Sequence, residues 1–578
     1  MRTERLLPGI NSPEDLKNLN ANELNLLAAE IREKIVSTVS DNGGHLASNL
    51  GVVELSIALH RVFNSPEDKI VWDVGHQCYT HKLLTGRFKE FSSLRMSGGI
   101  AGFPKREESQ HDAFNTGHAS TSISAALGLL AAEKLLGGKG RAAAIIGDGA
   151  LTGGLAYEAL SHAGHLGLPL IVILNDNKMS ISPNVGGLSK YLSRLSMKKN
   201  YQIFRRNFDA AVRKIPFIGE AVFNMILRLK RAVKAVFYTD NFFVDLGFEY
   251  VGPIGGHDIQ DLIDVFQDVI QRQDAQQLNR PVVIHVITRK GKGYGYAEDD
   301  PDSYHGVSAF SVDGGLAEDF SERGKTFTEA FASAIYAAAA RDKKVAALTA
   351  AMQKGTGLSA FRQAFPDRFF DVGIAEEHMV TFAAGLAARG LKPVAAVYST
   401  FIQRAVDQVT HDAALQKLPV ILALDRAGFV PNDGETHQGL FDIALFRSTP
   451  NTAILSPASE NELRLMLNWA LELETGPMII RYPKACCPKE IPAFSLPVEQ
   501  GRGVWLLKNN RQICLAFAGG LYKQVLDAAV ILEEQGIEAD LYNLRFLKPV
   551  DEEYLANLMN SYEYIGFIEE GIREGGFG

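Results

Sequence analysis

Two short motifs place oxygen ligands at the ends of neighbouring predicted strands. The apolar run RAAAIIGDGAL contains Gly147-Asp148-Gly149, and the next run, LPLIVILNDN, ends in Asn177, twenty-nine residues after Asp148. In a doubly wound sheet, the carboxyl ends of adjacent strands form the crevice where ligands bind. Carboxylate and amide oxygens suit Mg²⁺, and glycines let the backbone approach a phosphate closely. A lone GDG is more often a tight turn, but its pairing with Asn177 favours a site for Mg²⁺ and a phosphate.

Three histidines lie in glycine-flanked turns that precede predicted helices. They are His45 in GGHLASNLG, His76 in WDVGHQCYTHK and His118 in NTGHASTSISAALG. A single histidine is usually structural, because a buried imidazole can simply satisfy a hydrogen bond. Three of them in such turns form a candidate site, since loops at strand ends carry many binding and catalytic residues.

The elements around these motifs alternate between small-residue helices and short β-branched runs. ASTSISAALGLLAAEKLLG and GGLAYEALSHAGHLG predict helices, while RAAAIIGDG and LPLIVILNDN predict buried strands. The same alternation starts again near residue 320 and once more at RQICLAFAGG. It predicts an α/β protein with three consecutive doubly wound domains and mainly parallel sheets.

These patterns set the predicted domain boundaries. The first domain spans 1–290 and contains a basic insertion at 184–240, and a linker rich in Gly, Asp and Ser follows at 291–320. The second domain spans 321–490. The third spans 495–578 and stops soon after a predicted strand, so it is expected to be incomplete.

The composition excludes several classes of protein. The 578 residues are 46% hydrophobic and 22% charged, as in ordinary globular proteins, and the net charge of −8 argues against a nucleic-acid binder that relies on overall charge. Four cysteines in so long a chain do not form a disulfide framework. No apolar run has the form of a signal peptide or the length of a membrane span. We therefore expect a cytoplasmic protein without nucleic-acid partners or stable membrane association.

The GDG…N spacing resembles the motif with which thiamine diphosphate enzymes hold Mg²⁺ on the diphosphate. The resemblance implies Asp148, Asn177 and the main-chain carbonyl of Met179 as metal ligands. The cofactor also needs a carboxylate that hydrogen-bonds its aminopyrimidine ring and promotes proton loss from thiazolium C2. Glu376 in IAEEHMV is the candidate, although carboxylates also favour helix N-termini without a catalytic role. That structural role is the better explanation for Glu377.

Together with YSTFIQRAVDQ, DRAGFVPNDGETHQG and RYPK, these motifs resemble the 1-deoxy-D-xylulose-5-phosphate synthase family of transketolase-like enzymes over nearly the whole chain. The resemblance implies a homodimer that condenses pyruvate with D-glyceraldehyde 3-phosphate, releasing CO₂, with thiamine diphosphate and Mg²⁺. This reaction is the first step of the non-mevalonate isoprenoid pathway and supplies precursors for thiamine and pyridoxol. The family's TGHSSTS reads TGHASTS here, so Ala119 offers its backbone but no hydroxyl.

The resemblance also implies a role for each matched residue. Those expected to bind the cofactor are His76, Gly117, His118, Ala119, Asp148, Gly149, Ala150, Asn177, Tyr294 and Glu376. Imidazoles and carboxylates can relay protons around the reacting carbon, and the residues expected there are His45, His76, His305, His437, Asp433 and Glu376.

The phosphate of the acceptor aldehyde requires cations. Arg426 and Arg481 each follow or end a predicted strand, and Arg404 lies near a predicted helix start. Guanidinium groups match phosphate oxygens, and Tyr398 could add a hydroxyl donor. Any one of these arginines could equally form an ordinary surface ion pair. We expect Arg426 and Arg481 above all to bind the substrate phosphate.

Two other functions remain open for the same residues. A transketolase would use the same cofactor to move two-carbon units between sugar phosphates without releasing CO₂. A non-catalytic cofactor-binding homologue would be expected to lack Glu376 or the histidines, which this sequence retains.

The basic insertion calls for a separate interpretation. Residues 190–234 contain twelve Lys or Arg against only Asp209 and Glu220, so these charges cannot pair internally. Apolar residues such as Phe204 and Phe208 recur at roughly helical spacing. We expect short amphipathic helices that form a mobile flap beside the substrate entrance, in preference to a membrane contact.

Overall fold

The computed structural model describes residues 5–178, 187, 190–193, 241–316, 324–431 and 434–578. The chain divides into two compact units, Met1–Ala317 and Glu318–Gly578. Two predicted site residues, Met179 and Asp433, lie outside the described residues. So does most of the predicted basic flap.

The first unit is built on a parallel sheet of order β1-β2-β3-β5-β4. Strands β2 and β3 are buried along almost their whole length, which explains their nearly continuous apolar sequences. The strands are β1 (Lys69–Trp72), β2 (Ala142–Gly147), β3 (Ile171–Asp176), β4 (Glu249–Gly255) and β5 (Val282–Ile287). The helices described around them are α1 (Ala21–Asn42), α2 (Ala47–Leu50), α3 (Val53–Val62), α4 (Tyr79–Leu84), α5 (Ser122–Leu135), α6 (Gly154–Leu166), α7 (Phe242–Asp245), α8 (Ile259–Asp274) and α9 (Gly295–Asp299).

The second unit contains two mainly parallel sheets. The larger has the order β15-β10-β11-β9-β8-β6-β7, in which only β15 is antiparallel to its neighbour, and the smaller has the order β12-β14-β13-β16, with β12 antiparallel. The strands are β6 (Val345–Thr349), β7 (Phe369–Asp371), β8 (Lys392–Tyr398), β9 (Ile421–Asp425), β10 (Ala453–Leu455), β11 (Met478–Arg481), β12 (Val504–Leu507), β13 (Ile513–Phe517), β14 (Ala539–Asn543), β15 (Phe546–Lys548) and β16 (Tyr564–Ile568).

Helices pack around both sheets of the second unit. They are α10 (Phe327–Arg341), α11 (Ser359–Ala364), α12 (Glu376–Ala388), α13 (Ser399–Ile402), α14 (Val406–Gln408), α15 (Asp442–Arg447), α16 (Glu460–Glu472), α17 (Tyr522–Glu534) and α18 (Glu552–Met559). A π-helical turn at Val409–Ala414 follows α14. The predicted α/β fold with mainly parallel sheets is confirmed. None of the helices in the described ranges is long and apolar enough to be a transmembrane span.

Strand β15 ties the C-terminal region of the chain to the larger sheet. It pairs with β10, with Ile454 opposite Lys548. Just before β15, the buried guanidinium of Arg545 donates to Glu462 of α16 at 2.6 Å. The pairing joins segments about ninety residues apart in sequence, so local patterns do not predict it.

Residues 291–316, which the composition predicts to be linker, pack onto the first unit. Ala297 and Tyr304 are buried in the hydrophobic core of that unit, and Val307 forms a β-bridge with Gly44. The polar sequence therefore reflects exposed turns between buried anchors. His305 follows the buried Tyr304 directly and is itself half-buried.

Candidate active site

Three of the predicted histidines meet in the first unit. The ring centroids of His45 and His76 are 5.4 Å apart, and that of His305 lies 5.7 Å from His45 and 5.1 Å from His76. Burial, reinforced by the positive charge of Lys290, holds the pKa of His305 well below its usual range. His305 is therefore neutral at neutral pH, and its imidazole offers one hydrogen-bond donor and one acceptor.

The side chain of Asn49 fixes two of these histidines through their backbones. Its Nδ2 donates to the carbonyl oxygens of His45 and His76, both at 2.7 Å, and its Oδ1 accepts from the amide of Tyr79 at 2.8 Å. Asn49 is fully buried. An asparagine with three satisfied bonds at this position acts as a rigid clamp between the start of α2 and the turn after β1.

The turn after β1 is also joined to the loop that contains Gly117, His118 and Ala119. The carboxylate of Asp73 accepts from the amides of Ser120 and Ser122 at 2.8 and 3.0 Å. Ser120 in turn donates its hydroxyl to the carbonyl of Ala150 at 2.7 Å. These bonds bring the glycine-flanked His118 loop to the Gly149-Ala150 turn at the carboxyl end of β2.

The backbone at these strand ends is held in uncommon conformations. Val74 after β1, Ser120 before α5 and Lys178 after β3 have φ values of 58°, 72° and 64°. Such left-handed conformations are unusual for residues other than glycine, and a β-branched valine is a marked exception. Strain of this kind concentrates at functional sites, where the surrounding contacts sustain it.

Two carboxylates, Asp148 and Asp176, lie near each other at the ends of β2 and β3, and the buried lysine Lys290 interacts with Asp148. Burial and the nearby charge of Asp176 raise the pKa of Asp148, while Lys290 opposes that increase. Burial lowers the pKa of Lys290 against the attraction of Asp148 and Asp302. Asn177 follows Asp176 directly and is half-buried. A hard cation would relieve the repulsion between these carboxylates, and carboxylate and amide oxygens are the donors it prefers.

A buried chain of hydrogen bonds supports the end of β3. His285 of β5 lies 2.9 Å from the Asp176 carboxylate through its Nε2 and 2.7 Å from the Tyr250 hydroxyl through its Nδ1. The Asp176 carboxylate also accepts from the amide of Lys178 at 3.1 Å. This chain fixes the strand end that carries Asn177.

Tyr294 lies in an aromatic cluster of the first unit. Its ring centroid is 5.8 Å from that of Tyr304 and 6.2 Å from that of Phe310. Its hydroxyl donates to the carbonyl of Val312 at 2.8 Å. The predicted contact of Tyr294 with the cofactor stays a prediction.

In the second unit, Glu376 is the first residue of α12 and is 2% exposed. Burial raises its pKa to about 7, although the positive charge of Arg404 opposes the increase. The guanidinium of Arg404 lies 3.7 Å from Oε2 of Glu376, too far for a good hydrogen bond. Glu376 can therefore hold or release a proton near neutral pH, whereas its neighbour Glu377 is only half-buried.

The turn that leads into α12 is held by its own aspartate. Asp371 at the end of β7 accepts from the amides of Ala351 and Gly373 at 2.9 and 3.1 Å. Gly373 has a φ of 75°, which a glycine adopts readily. The position of Glu376 thus follows from a rigid turn.

The predicted phosphate-binding arginines have different surroundings. The guanidinium of Arg426 lies 3.9 Å from the centroid of the Tyr398 ring. Arg481 is almost fully buried and donates to the Asp442 carboxylate at 2.9 Å and to the Glu570 carbonyl at 3.0 Å. His437 belongs to the second unit, where its Nδ1 lies 2.8 Å from the Thr436 hydroxyl.

Sequence reasoning missed several residues that build these clusters. Asn49 and Asp73 lie within the histidine motifs quoted above, and Lys290 is the last residue of the predicted first domain. The available signal is a polar residue inside an apolar run, as in the ASNLGVVEL and IVWDVG strings. Neither string shows which distant backbone groups the side chain binds.

Comparison with known proteins assigns the chain to a family. The profile described as 1-deoxy-D-xylulose-5-phosphate synthase matches residues 7–288, that of the transketolase pyrimidine binding domain matches 323–489, and that of the transketolase C-terminal domain matches 503–578. A 1-deoxy-D-xylulose-5-phosphate synthase from Treponema pallidum (strain Nichols) is 54% identical over 572 residues, which are 99% of this chain and 89% of that protein. The chain belongs to the 1-deoxy-D-xylulose-5-phosphate synthase family.

A second member of the 1-deoxy-D-xylulose-5-phosphate synthase family, from Halothermothrix orenii, is 49% identical over 98% of this chain and 88% of its own length. Among solved structures, a transketolase from Leishmania mexicana is 17% identical, with 96% of this chain and 91% of that chain covered and a TM-score of 0.39. The family's N-terminal match contains Asp148 and the cluster of His45 and His76, whereas the pyrimidine-binding match contains Glu376 and Arg426.

Proposed function

We propose that this protein condenses pyruvate with D-glyceraldehyde 3-phosphate to 1-deoxy-D-xylulose 5-phosphate and CO₂. The observation that carries the proposal is the state of Glu376, a buried carboxylate whose pKa is raised to about 7, within the pyrimidine-binding match. A carboxylate that exchanges a proton near neutral pH is what activation of thiamine diphosphate requires. Membership of the synthase family supports the choice of substrates.

The first unit fits the diphosphate and Mg²⁺ of that cofactor. Asp148 and Asn177 supply a carboxylate and an amide oxygen, and the Met179 carbonyl is the proposed third ligand. The repulsion between Asp148 and Asp176 favours a cation there.

Each cluster has its own task in the proposed reaction. When bound, thiamine diphosphate supplies a carbanion that attacks carbonyl groups. Residues of the Gly117–Ala119 loop and the Gly149-Ala150 turn would contact the diphosphate through backbone amides. Glu376 would hydrogen-bond the aminopyrimidine and hold the proton that the ring exchanges.

The histidines of the first unit would act on the substrates. His45 and His76 would hydrogen-bond the pyruvate carboxylate, and the neutral imidazole of His305 would accept or return a proton at the reacting oxygen. His437 and Asp433 are proposed to assist them. Tyr398, Arg404, Arg426 and Arg481 are the proposed ligands of the acceptor and its phosphate.

Further parts of the proposal concern the cell and the assembly. The reaction would be the first step of the non-mevalonate isoprenoid pathway and would supply precursors for thiamine and pyridoxol. We propose a homodimer in the cytoplasm.

An assay of the full chain tests the proposal. The chain would be incubated with thiamine diphosphate, Mg²⁺, pyruvate and D-glyceraldehyde 3-phosphate, while CO₂ and the sugar phosphate product are followed together. We expect one CO₂ per 1-deoxy-D-xylulose 5-phosphate, and little of either when the metal is removed by a chelator. Two-carbon transfer from a ketose phosphate without CO₂ would contradict the proposal and identify a transketolase.

A further inference from the structure

A buried ionic network lies next to the histidine cluster of the first unit. It consists of two carboxylates, Asp112 and Glu108, two cations, Arg87 and Lys82, and the imidazole of His81. The side chains of Asp112, Lys82 and His81 are completely buried. Burying so many charged groups inside a domain costs considerable desolvation energy, which the hydrogen bonds among them must offset.

The Asp112 carboxylate accepts four hydrogen bonds. His81 donates through Nε2 at 2.7 Å, Arg87 donates through both terminal nitrogens at 2.7 and 2.8 Å, and the amide of Lys105 donates at 2.8 Å. Burial opposes ionisation of Asp112, but the bonds from His81 and Arg87 outweigh it and hold its pKa well below the usual range. Asp112 is therefore ionised and its acceptor capacity is used on all sides.

The second carboxylate, Glu108, forms similar bonds within the segment 101–112. Glu108 accepts from Lys82 Nζ at 2.7 Å and from the amide of Ala101 at 2.6 Å. Each carboxylate thus binds a backbone amide seven residues before it, and each is anchored to a cation on α4 or in the turn after it. Residues 101–112 are held as a compact lobe by these two anchors.

The orientation of His81 continues the network into α3. Burial lowers the pKa of His81 to about 4 despite the neighbouring Asp112, so His81 is neutral at neutral pH. Because an ionised carboxylate only accepts, the proton of His81 sits on Nε2, and its Nδ1 accepts from His60 Nε2 at 2.8 Å. The network therefore links α3, α4 and the 101–112 lobe.

The inner face of the lobe touches the candidate site. Phe103 is 5% exposed, and its ring meets that of His45 edge-on, with centroids 5.5 Å apart. Pro104 packs so closely on Gly75 that a Cβ added there would lie 2.4 Å from Pro104 Cδ. Gly75 is the residue before His76. The lobe therefore contacts both histidine-bearing turns directly.

We infer that Asp112 is a positioning residue: with Arg87 it locks the 101–112 lobe in place, so that Phe103 and Pro104 hold His45 and His76 in their reactive arrangement. Its importance for catalysis rests on the proposed function, because the histidines matter only if they act on the substrates. Small displacements of catalytic groups are costly, which gives a reason for the network to be both buried and charged.

Hydrogen exchange of the full chain, without substrate, tests the lock itself. Asp112→Asn keeps the shape of the side chain but replaces one acceptor oxygen by an amide nitrogen, which then points a donor at the Arg87 guanidinium and at either His81 or the Lys105 amide. We expect faster exchange in peptides from 99–116 and unchanged exchange in the β2 peptide 142–147. Unchanged exchange throughout 99–116 would overturn the inference.

The matched control is Glu462→Gln in the second unit. Glu462 is also a buried carboxylate, paired with Arg545 at 2.6 Å and bound to the Ala458 amide at 2.8 Å and to Asn543 at 2.9 Å. Its substitution should lower the melting temperature but leave exchange in 99–116 unchanged. A comparable acceleration of 99–116 in this control would show that Asp112 acts only through general stability, against the inference.

Measurement of kcat tests whether the 101–112 lobe matters for the reaction. In the assay above, kcat of Asp112→Asn relative to wild type should fall about tenfold to a hundredfold, as expected for misplaced catalytic groups, with the cofactor affinity little changed.

Phe103→Leu leaves the network intact, and it should lower kcat without accelerating exchange at 105–112. Phe103→Leu also tests the inference if Asp112→Asn does not fold. Wild-type kcat in Phe103→Leu, or in an Asp112→Asn variant with a loosened lobe, would overturn the inference, whereas an inactive wild-type chain would instead contradict the proposed function.

Discussion

Two buried carboxylates, Asp148 in the first unit and Glu376 in the second, differ in what surrounds them. Both are at most 3% exposed, and burial raises the pKa of both. Asp148 lies near a second carboxylate, Asp176, and a buried cation, Lys290. Glu376 has Arg404 nearby at 3.7 Å, and among the described residues its Oε2 accepts no hydrogen bond.

The difference suggests that burial serves opposite purposes at the two positions. Near Asp148, like charges lie close together, and a cation bound there, as proposed, would offset the energetic cost of the cluster. At Glu376, burial raises the pKa of the carboxyl group to about 7, so the group can exchange a proton near neutral pH. One carboxylate is suited to holding a ligand, and the other to moving a proton.

Removing the first carboxylate should break the binding function. Asp148→Ala deletes a proposed metal ligand, so thiamine diphosphate affinity in the presence of Mg²⁺ should fall more than about a hundredfold, beyond the 10–100-fold typical of losing an outer-shell partner. Calorimetric titration of the cofactor measures this loss. Asp258→Ala, an exposed N-cap in the same unit, is the control of equal charge and should retain wild-type affinity. Wild-type affinity in Asp148→Ala would refute the assignment.

Substitution of the arginines of the second unit should affect the two substrates differently. Arg426→Ala should raise KM for D-glyceraldehyde 3-phosphate about 10- to 100-fold, the usual value of hydrogen bonds to a charged group, and should change KM for pyruvate much less. Arg481→Ala should show the same preference and also lower the melting temperature, because it leaves Asp442 buried without its guanidinium. Equal changes in both KM values would show a structural role.

Removal of Asn49, which clamps the two histidine-bearing turns, should have a smaller effect. Asn49→Ala removes three buried hydrogen bonds and leaves the Tyr79 amide and the His45 and His76 carbonyls without that partner. We expect kcat to fall about tenfold while Kd for the cofactor stays within a few-fold, since buried bonds of this kind are worth about 1–3 kcal/mol. Steady-state kinetics check the first value and calorimetry the second. A change confined to Kd would place Asn49 in cofactor binding instead.

The pH dependence of stability should reveal the raised pKa of Glu376. Its folded pKa of about 7 lies above the ordinary 4.5, so the folded state binds more protons between these values and loses stability as pH rises through them. The full shift corresponds to ~3 kcal/mol, an upper bound, at about 1.4 kcal/mol per pKa unit. Glu376→Gln without cofactor should therefore melt a few degrees above wild type at pH 8, and the two should converge near pH 4. A difference independent of pH would contradict the raised pKa.

The sequence predicted the features that are local in the chain. The GDG turn, the Asn177 strand end and the start of α12 at Glu376 all follow from short patterns of apolar runs and turn residues. The three sheets were predicted from the same alternation. What the sequence could not predict were partners distant in the chain, such as the Asp73 bonds to residues 47 and 49 positions away.

In two further cases, contacts between residues distant in the chain determine the surroundings of a side chain. The strand that precedes Arg481 was visible in the sequence, but its ion pair with Asp442 depends on where α15 packs. Composition predicted linker at 291–320, yet Ala297 and Tyr304 are buried in the core of the first unit. Isolated apolar residues in a polar stretch carry little periodicity, so the anchoring was not apparent.

The most direct test of the role proposed for Glu376 compares two adjacent carboxylates at the start of α12. Glu376→Gln and Glu377→Gln change the same charge one residue apart, and both variants would be assayed for CO₂ release from pyruvate at saturating thiamine diphosphate and Mg²⁺. We predict that Glu376→Gln lowers kcat by about 10²–10⁴-fold while still binding the cofactor, because it removes a proton-transfer group. Glu377→Gln should retain near wild-type turnover. Near wild-type turnover in Glu376→Gln, or an equal loss in both variants, would contradict the assignment of Glu376 as the group that activates the cofactor.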